Sequence, residues 1–242
     1  MKDLQKREGQ DAATRGAGGD VAAFLRRAAE TRPASGETGR LIFALDATMS
    51  RQPTWDAACN LQADMFRAVG EAGREGGALS VQLVYFRSHA ECRASRWVSD
   101  TGALADLMSG LECRGGLTQI GKVLLHARKE AAKRSDTGAR VNALVFVGDA
   151  MEEDVDAVSH RAGELALLGV PAFMFQEGRD GATERAFREI ARLSGGAFMR
   201  FDSGAADELG RLLRAVARYA SGGRRALENA GRTEQLLLEQ MR

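Results

Sequence analysis

The sequence predicts a doubly wound α/β domain. It should have a mostly parallel, Rossmann-like central sheet, one antiparallel edge strand, and helices on both faces. Three observations lead there. First, two short and almost wholly apolar runs, one at 41–45 and one at 141–147, end at or near the carboxylates Asp46 and Asp149. Runs of that kind read as strands buried on both faces, which is the habit of parallel sheets. Second, strand-like and helix-like segments alternate from residue 41 to residue 219, so successive strands are joined by helical crossovers. Third, the apolar stretch 79–86 is followed after a short turn by the weakly alternating stretch 92–98, which fits a hairpin at a sheet edge.

Residues 1–19 are polar and charged and include Gly16, Gly18 and Gly19, so they are expected to lie outside the fold. Asp20 can cap a short helix carrying Val21, Phe24, Leu25 and Ala28 on one face. After the first strand, Pro53 and Thr54 open a helical pattern through Trp55, Cys59, Gln62, Phe66 and Val69. Cys59 falls on its apolar face and reads as a core residue. A short helix over 101–111 and a longer one over about 120–133 come next. Then follow a second strand ending on Asp149, a helix over 156–168 closed by Gly169, and a strand over 170–175 with Pro171 at its start. A helix over 182–193, a last strand over 197–201 and a helix over 205–219 complete the domain. Beyond Gly222 and Gly223, one more helix can carry Leu227, Leu237, Leu238 and Met241. The expected organisation is a tail and short helix over 1–39, one domain over 40–220, and a helical extension over 221–242.

Composition removes several function classes. The chain has 242 residues, enough for one α/β domain with short extensions, and its net charge is +1. That balance gives no bulk electrostatic reason to bind nucleic acid or a membrane surface. Three cysteines without a Cys-x-x-Cys pair argue against a disulfide framework or a zinc knuckle and favour a reducing compartment. No stretch reaches the length of a membrane span, and the polar start does not resemble a secretory signal. The expected location is cytoplasmic.

The chemistry concentrates at strand ends. Asp46 stands at the carboxyl end of the first strand, the edge at which ligands bind open α/β sheets. Thr48 and Ser50 follow at a spacing of two, so an extended turn aims three hard oxygens at one point. That donor set suits Mg²⁺ or a similar hard cation. Gly115 and Gly116 precede Thr118 in a glycine-rich loop ahead of a helix, where backbone can approach a ligand closely. Asp149 ends a second buried strand, which would lie beside the first. The run Glu152-Glu153-Asp154 reads as charge favouring the N-terminus of the next helix, with a second cation site as the alternative.

Asp46-Ala47-Thr48-Met49-Ser50 resembles the Asp-x-Ser-x-Ser motif of the von Willebrand factor A (vWA) domain, with Thr in the place of the first Ser. Thr118 matches the threonine of that family's glycine-rich loop, and Asp149 matches its later aspartate, followed here by Ala150 instead of Gly. The resemblance spans roughly residues 40–220 and is closest to intracellular bacterial members. It implies a metal-ion-dependent adhesion site (MIDAS) formed by Asp46, Thr48, Ser50, Thr118 and Asp149 and holding Mg²⁺ or Mn²⁺. It also implies a non-enzymatic protein-interaction module, in which a partner protein supplies an Asp or Glu to the metal. Intracellular members work in multiprotein assemblies, including AAA+ ATPase and chaperone-like machines.

The alternative is an enzyme. Asp46-Ala47-Thr48 also fits the nucleophile of a haloacid-dehalogenase-like phosphatase, with Asp149 and Asp154 as its Mg²⁺ motif. That reading leaves Ser50 and the Thr118 loop without a role, and Thr48 stands where such phosphatases place a second Asp. Gly116 to Lys122 matches the opening of a P-loop, but Val123 replaces the metal-binding hydroxyl. His89, His126 and His160 are far apart in sequence and show no obvious nucleophile partner.

Overall fold

The computed structural model describes residues 39–51, 79–133, 139–201, 206–222 and 232–241. The helices expected near residues 20–31 and 53–69, and Cys59 with them, lie outside the described residues. Six strands form one sheet: β1 (Gly39–Asp46), β2 (Leu79–Arg87), β3 (Glu91–Ala94), β4 (Arg140–Gly148), β5 (Ala172–Glu177) and β6 (Phe198–Phe201). Their order is β3-β2-β1-β4-β5-β6. All neighbours are parallel except β3, which pairs antiparallel with β2. The predicted doubly wound sheet with one antiparallel edge is therefore observed.

Six helices are described: α1 (Thr101–Ser109), α2 (Ile120–Ala132), α3 (Val155–Leu167), α4 (Gly181–Ser194), α5 (Ala206–Gly222) and α6 (Arg232–Gln240). Strand residues alternate between two cores. Leu41, Phe43, Leu45, Val145, Phe173 and Phe175 face the side covered by Leu104 and Leu107 of α1, Leu212 and Val216 of α5, and Leu237 of α6. Ile42, Ala44, Phe86, Leu144, Phe146 and Met174 face α2, α3 and α4 through Val123, Leu124, Val158, Leu165, Phe187 and Ile190. Each fully buried side chain of this size is worth about 1.5–3 kcal/mol. The two-sided burial explains why the strands lack polar alternation.

Polar residues set the helix starts. Asp100, Asp154 and Asp180 each accept a hydrogen bond from the N–H three residues on, at 3.0, 2.9 and 2.6 Å. Some boundaries differ from expectation. β5 begins at Ala172, after Pro171, and reaches Glu177, because pairing with β6 continues through Gln176 and Glu177. β3 stops at Ala94, and Val98 returns only as an isolated bridge to Val81. The Ser95 side chain supplies the bond that the strand would have made, accepting from Leu83 N–H at 3.0 Å. The last helix, α6, packs against the domain. Leu237 is fully buried, and Gln240 Oε1 accepts from Phe198 N–H on β6 at 2.8 Å.

Candidate metal centre

The strand order reverses direction between β1 and β4, so the crevice of this sheet opens at their carboxyl ends. The register pairs Leu45 with Val147. Asp46 therefore lies beside Gly148, and Asp149 follows one residue later. A Cβ on Gly148 would meet Asp46 Cβ at 3.4 Å and the Phe146 ring at 2.8 Å, so glycine lets the two strand ends close up.

Asp46 is fully buried, and its Oδ1 accepts from the Thr48 N–H at 2.8 Å. That bond curls the chain after β1 and leads into a short 3-10 turn at Met49–Arg51. It brings Thr48 Oγ1 and Ser50 Oγ to 3.1 Å from each other. The same loop is tied to its surroundings by backbone bonds. Ala47 N–H donates to Phe86 O, and Arg114 N–H donates to Ala47 O, each at 3.0 Å. Thr48 thus bridges to Arg114, four residues before Thr118.

The Thr118 loop is fixed from two sides. Gly116 rests on the β2–β3 turn, where a Cβ would run into the Ser88 main chain. Ser88 itself has φ of 56°, a left-handed conformation uncommon outside glycine. Gln119, almost fully buried, donates from Nε2 to Ser88 O at 3.0 Å. Beneath the loop, the fully buried Arg87 donates to Glu112 O at 2.7 Å and to Glu91 Oε2 at 3.1 Å. Tyr85 OH donates to the other oxygen of Glu91 at 2.7 Å.

From the other side, the loop after β4 reaches across. Thr118 N–H donates to Glu152 Oε2, and Glu152 N–H donates to Thr118 Oγ1, both at 3.0 Å. Glu153 accepts from the Ile120 and Gly121 N–H groups and so caps α2, whose own Gln119 makes no capping bond. Burial pushes the Glu153 carboxyl up, while those two N–H groups, Arg161 and Lys122 hold it down. Two residues of the acidic run therefore serve a helix other than the one they precede. Only Asp154 caps α3, the following helix. The helix-start reading of the run thus holds for Asp154, while Glu152 and Glu153 tie the loop after β4 to the Thr118 loop.

The five predicted residues thus occupy one edge of the sheet. Asp46, Thr48 and Ser50 share a loop, Thr118 is bound to Glu152, and Asp149 sits between β4 and that acidic strap. Asp149 Oδ1 is buried without a hydrogen-bond partner. A buried carboxylate oxygen in that state is costly unless something compensates it. Among the described residues no three His, Cys, Asp or Glu side chains converge as a metal cage. A cation here must draw on the hydroxyls. Thr118 Oγ1 accepts one bond and so keeps a second lone pair for such use.

The remaining reactive groups are otherwise engaged. His126 lies 2.8 Å from Gln82 Oε1, and burial lowers its basicity. Burial pushes the Cys92 thiol up to about 11, so it is inert near neutrality. Sequence reasoning missed Arg87, Gln119, Glu152 and Glu153 as the scaffold of the site. Their only signal was a charged or amide residue next to a strand end or a glycine-rich loop.

No family model matches this sequence, and no curated protein matches it. Solved structures do. A von Willebrand factor type A protein from Catenulispora acidiphila superposes with a TM-score of 0.61 at 15% identity, over 78% of this chain and 44% of that one. The fold is that of a vWA domain. The SpRpn10 VWA domain superposes with a TM-score of 0.57 at 12% identity, over 71% of this chain and 94% of its own. Proximal thread matrix protein 1 from the mussel byssus, described with a zinc-occupied MIDAS motif, gives 0.59 at 17% identity, over 78% and 49%. The chain thus spans less than half the length of the Catenulispora protein and nearly all of the SpRpn10 domain. At these identities the likeness is one of vWA fold. No comparison supports the phosphatase alternative.

Proposed function

We propose that this vWA domain is a non-enzymatic, divalent-metal-dependent protein-interaction module. Asp46, Thr48, Ser50, Thr118 and Asp149 would hold Mg²⁺ or Mn²⁺, and a partner protein's Asp or Glu would complete the coordination. The observation that carries the reading is the buried Asp149 Oδ1, without a partner, at the same sheet edge as the Thr48–Ser50 hydroxyl pair. A shell rich in neutral hydroxyls leaves a cation electrophilic, so an incoming carboxylate gains more there than in an acidic cage. The zinc-occupied MIDAS of the mussel protein is consistent with metal binding on this fold.

A protein partner is favoured by the rim. Met49 and Leu117 are 54% and 51% exposed, next to the proposed ligands Thr48, Ser50 and Thr118. Exposed apolar side chains beside a charge-recognising centre suit a protein surface better than a free ion or small polar substrate. In this reading the module works in a reducing, cytoplasmic setting, and multiprotein machines of AAA+ or chaperone type are partners to test.

Calorimetric titration with Mg²⁺ tests the site. Wild type is expected to bind one ion saturably. Thr48→Val removes a ligating hydroxyl and Asp149→Asn removes a negative charge, both with side-chain shape kept, and each is expected to weaken binding by at least about tenfold. Equal affinity in all three proteins would contradict the assignment. Mg²⁺-dependent hydrolysis of p-nitrophenyl phosphate, lost in Asp46→Asn, would contradict the non-enzymatic reading.

A further inference from the structure

Strand alternation puts one row of residues on the α2–α3–α4 side at the carboxyl edge of the sheet. Ala44, Phe146 and Met174 belong to that core, so Asp46, Gly148 and Gln176, two residues further along each strand, share its face. Gly148 pairs directly with Gln176, and Asp46 lies on the other side of Gly148. Adjacent strands lie about 4.8 Å apart, which puts the Asp46 and Gln176 backbones about 9.6 Å from each other across the glycine.

Gln176 is fully buried, in a strand whose other core residues are Ala172, Phe173, Met174 and Phe175. Its Nε2 donates to Asp180 O at 2.8 Å, which fixes which end of the amide is oxygen. Its Oε1 is buried and has no hydrogen-bond partner. An amide oxygen left so costs stability comparable to a lost hydrogen bond, and burying an apolar residue of the same shape would cost less. Asp149 Oδ1 is in the same state, one residue beyond Gly148. Two buried acceptor oxygens without donors thus stand at neighbouring strand ends, on the edge that carries the proposed ligands.

We infer that Gln176 is a positioning residue of the metal centre, its Oε1 accepting a hydrogen bond from a water bound to the cation. The inference rests on the proposed metal site. Mg²⁺ surrenders its waters reluctantly and commonly keeps several of them. Those waters donate only, so they need acceptors that do not themselves ligate the ion. Gln176 supplies a neutral acceptor on the β5 side of Gly148. Held by Asp180 at its nitrogen, the amide cannot turn to offer a donor instead. The sequence signal is a single amide at the end of an apolar strand, which reads equally as a strand terminus.

The test combines Mg²⁺ calorimetry with thermal unfolding in EDTA and in excess Mg²⁺. Gln176→Met keeps length and removes the acceptor. It is expected to bind Mg²⁺ about tenfold more weakly or worse, to melt in EDTA no lower than wild type, and to show a smaller Mg²⁺-induced rise in Tm. Gln176→Glu restores an acceptor and adds charge. It is expected to melt lower in EDTA but to gain more from Mg²⁺ than wild type does. If wild type and Gln176→Met bind Mg²⁺ equally, Gln176 serves the fold alone and the inference is overturned while the metal site stands. If wild type itself binds no Mg²⁺, the metal site fails and the inference falls with it.

Discussion

Replacing Phe146 with alanine is expected to cost about 3–5 kcal/mol, the range for large-to-small changes of buried aromatics. Phe146 is fully buried in β4 and is held by two other rings. It stacks on Phe86 of β2 with centroids 6.0 Å apart, and it meets Phe187 of α4 edge-on at 5.4 Å. Removing it deletes apolar contact on three sides and leaves a cavity that strands tied by parallel pairing cannot close. The ring also sits against Gly148, directly under the Asp46–Asp149 edge. Urea unfolding checks the prediction, with a lower midpoint at unchanged slope expected for a pure stability effect. Phe146→Leu should recover more than half of the loss.

Arg87→Met is expected to be of similar size, about 3–5 kcal/mol, for an electrostatic reason. Arg87 is fully buried while its partner Glu91 is 14% exposed, so the pair is shielded from water. The guanidinium also stands over the Tyr85 ring at 5.3 Å and bonds the carbonyl of Glu112 ahead of the glycine-rich loop. Methionine fills much of the volume but leaves the Glu91 carboxylate without its cation. Removing one member of a buried pair is worse than replacing both. The double variant Arg87→Met, Glu91→Gln should therefore be more stable than Arg87→Met alone, which a double-mutant cycle measures directly. Failure of the second change to recover any stability would show that Arg87 acts through Glu112 and not through Glu91.

These two residues also show where sequence reasoning reaches and where it stops. The apolar runs ending on Asp46 and Asp149 are legible because burial on both sheet faces forbids polar residues until the strand ends. The order of strands and helices follows, and with it the meeting of β1 and β4. Arg87 is not legible, since a charged residue at the end of an apolar strand ordinarily marks the return to solvent. Its burial depends on Glu91 and on the carbonyl of Glu112, 25 residues away. In sequence, Glu152 and Glu153 read as charge for the helix that follows them. They instead bind Thr118 and cap α2, more than 30 residues earlier, because the crossover sets the two loops side by side. Gln176 is hidden the same way, as its neighbour across the sheet is fixed only by register.

A divalent cation bound at the carboxyl edge of β1 and β4 would sit within a few residues of three loops. Titrating the ¹⁵N-labelled protein with substoichiometric Mn²⁺ and following amide signals by NMR tests it most directly. Amides of residues 46–50, 116–119 and 149–153 should lose intensity first, helix α6 should be spared, and excess Mg²⁺ should restore the spectrum. Losses spread evenly over the chain, or centred on the exposed carboxylates of α4, would contradict it.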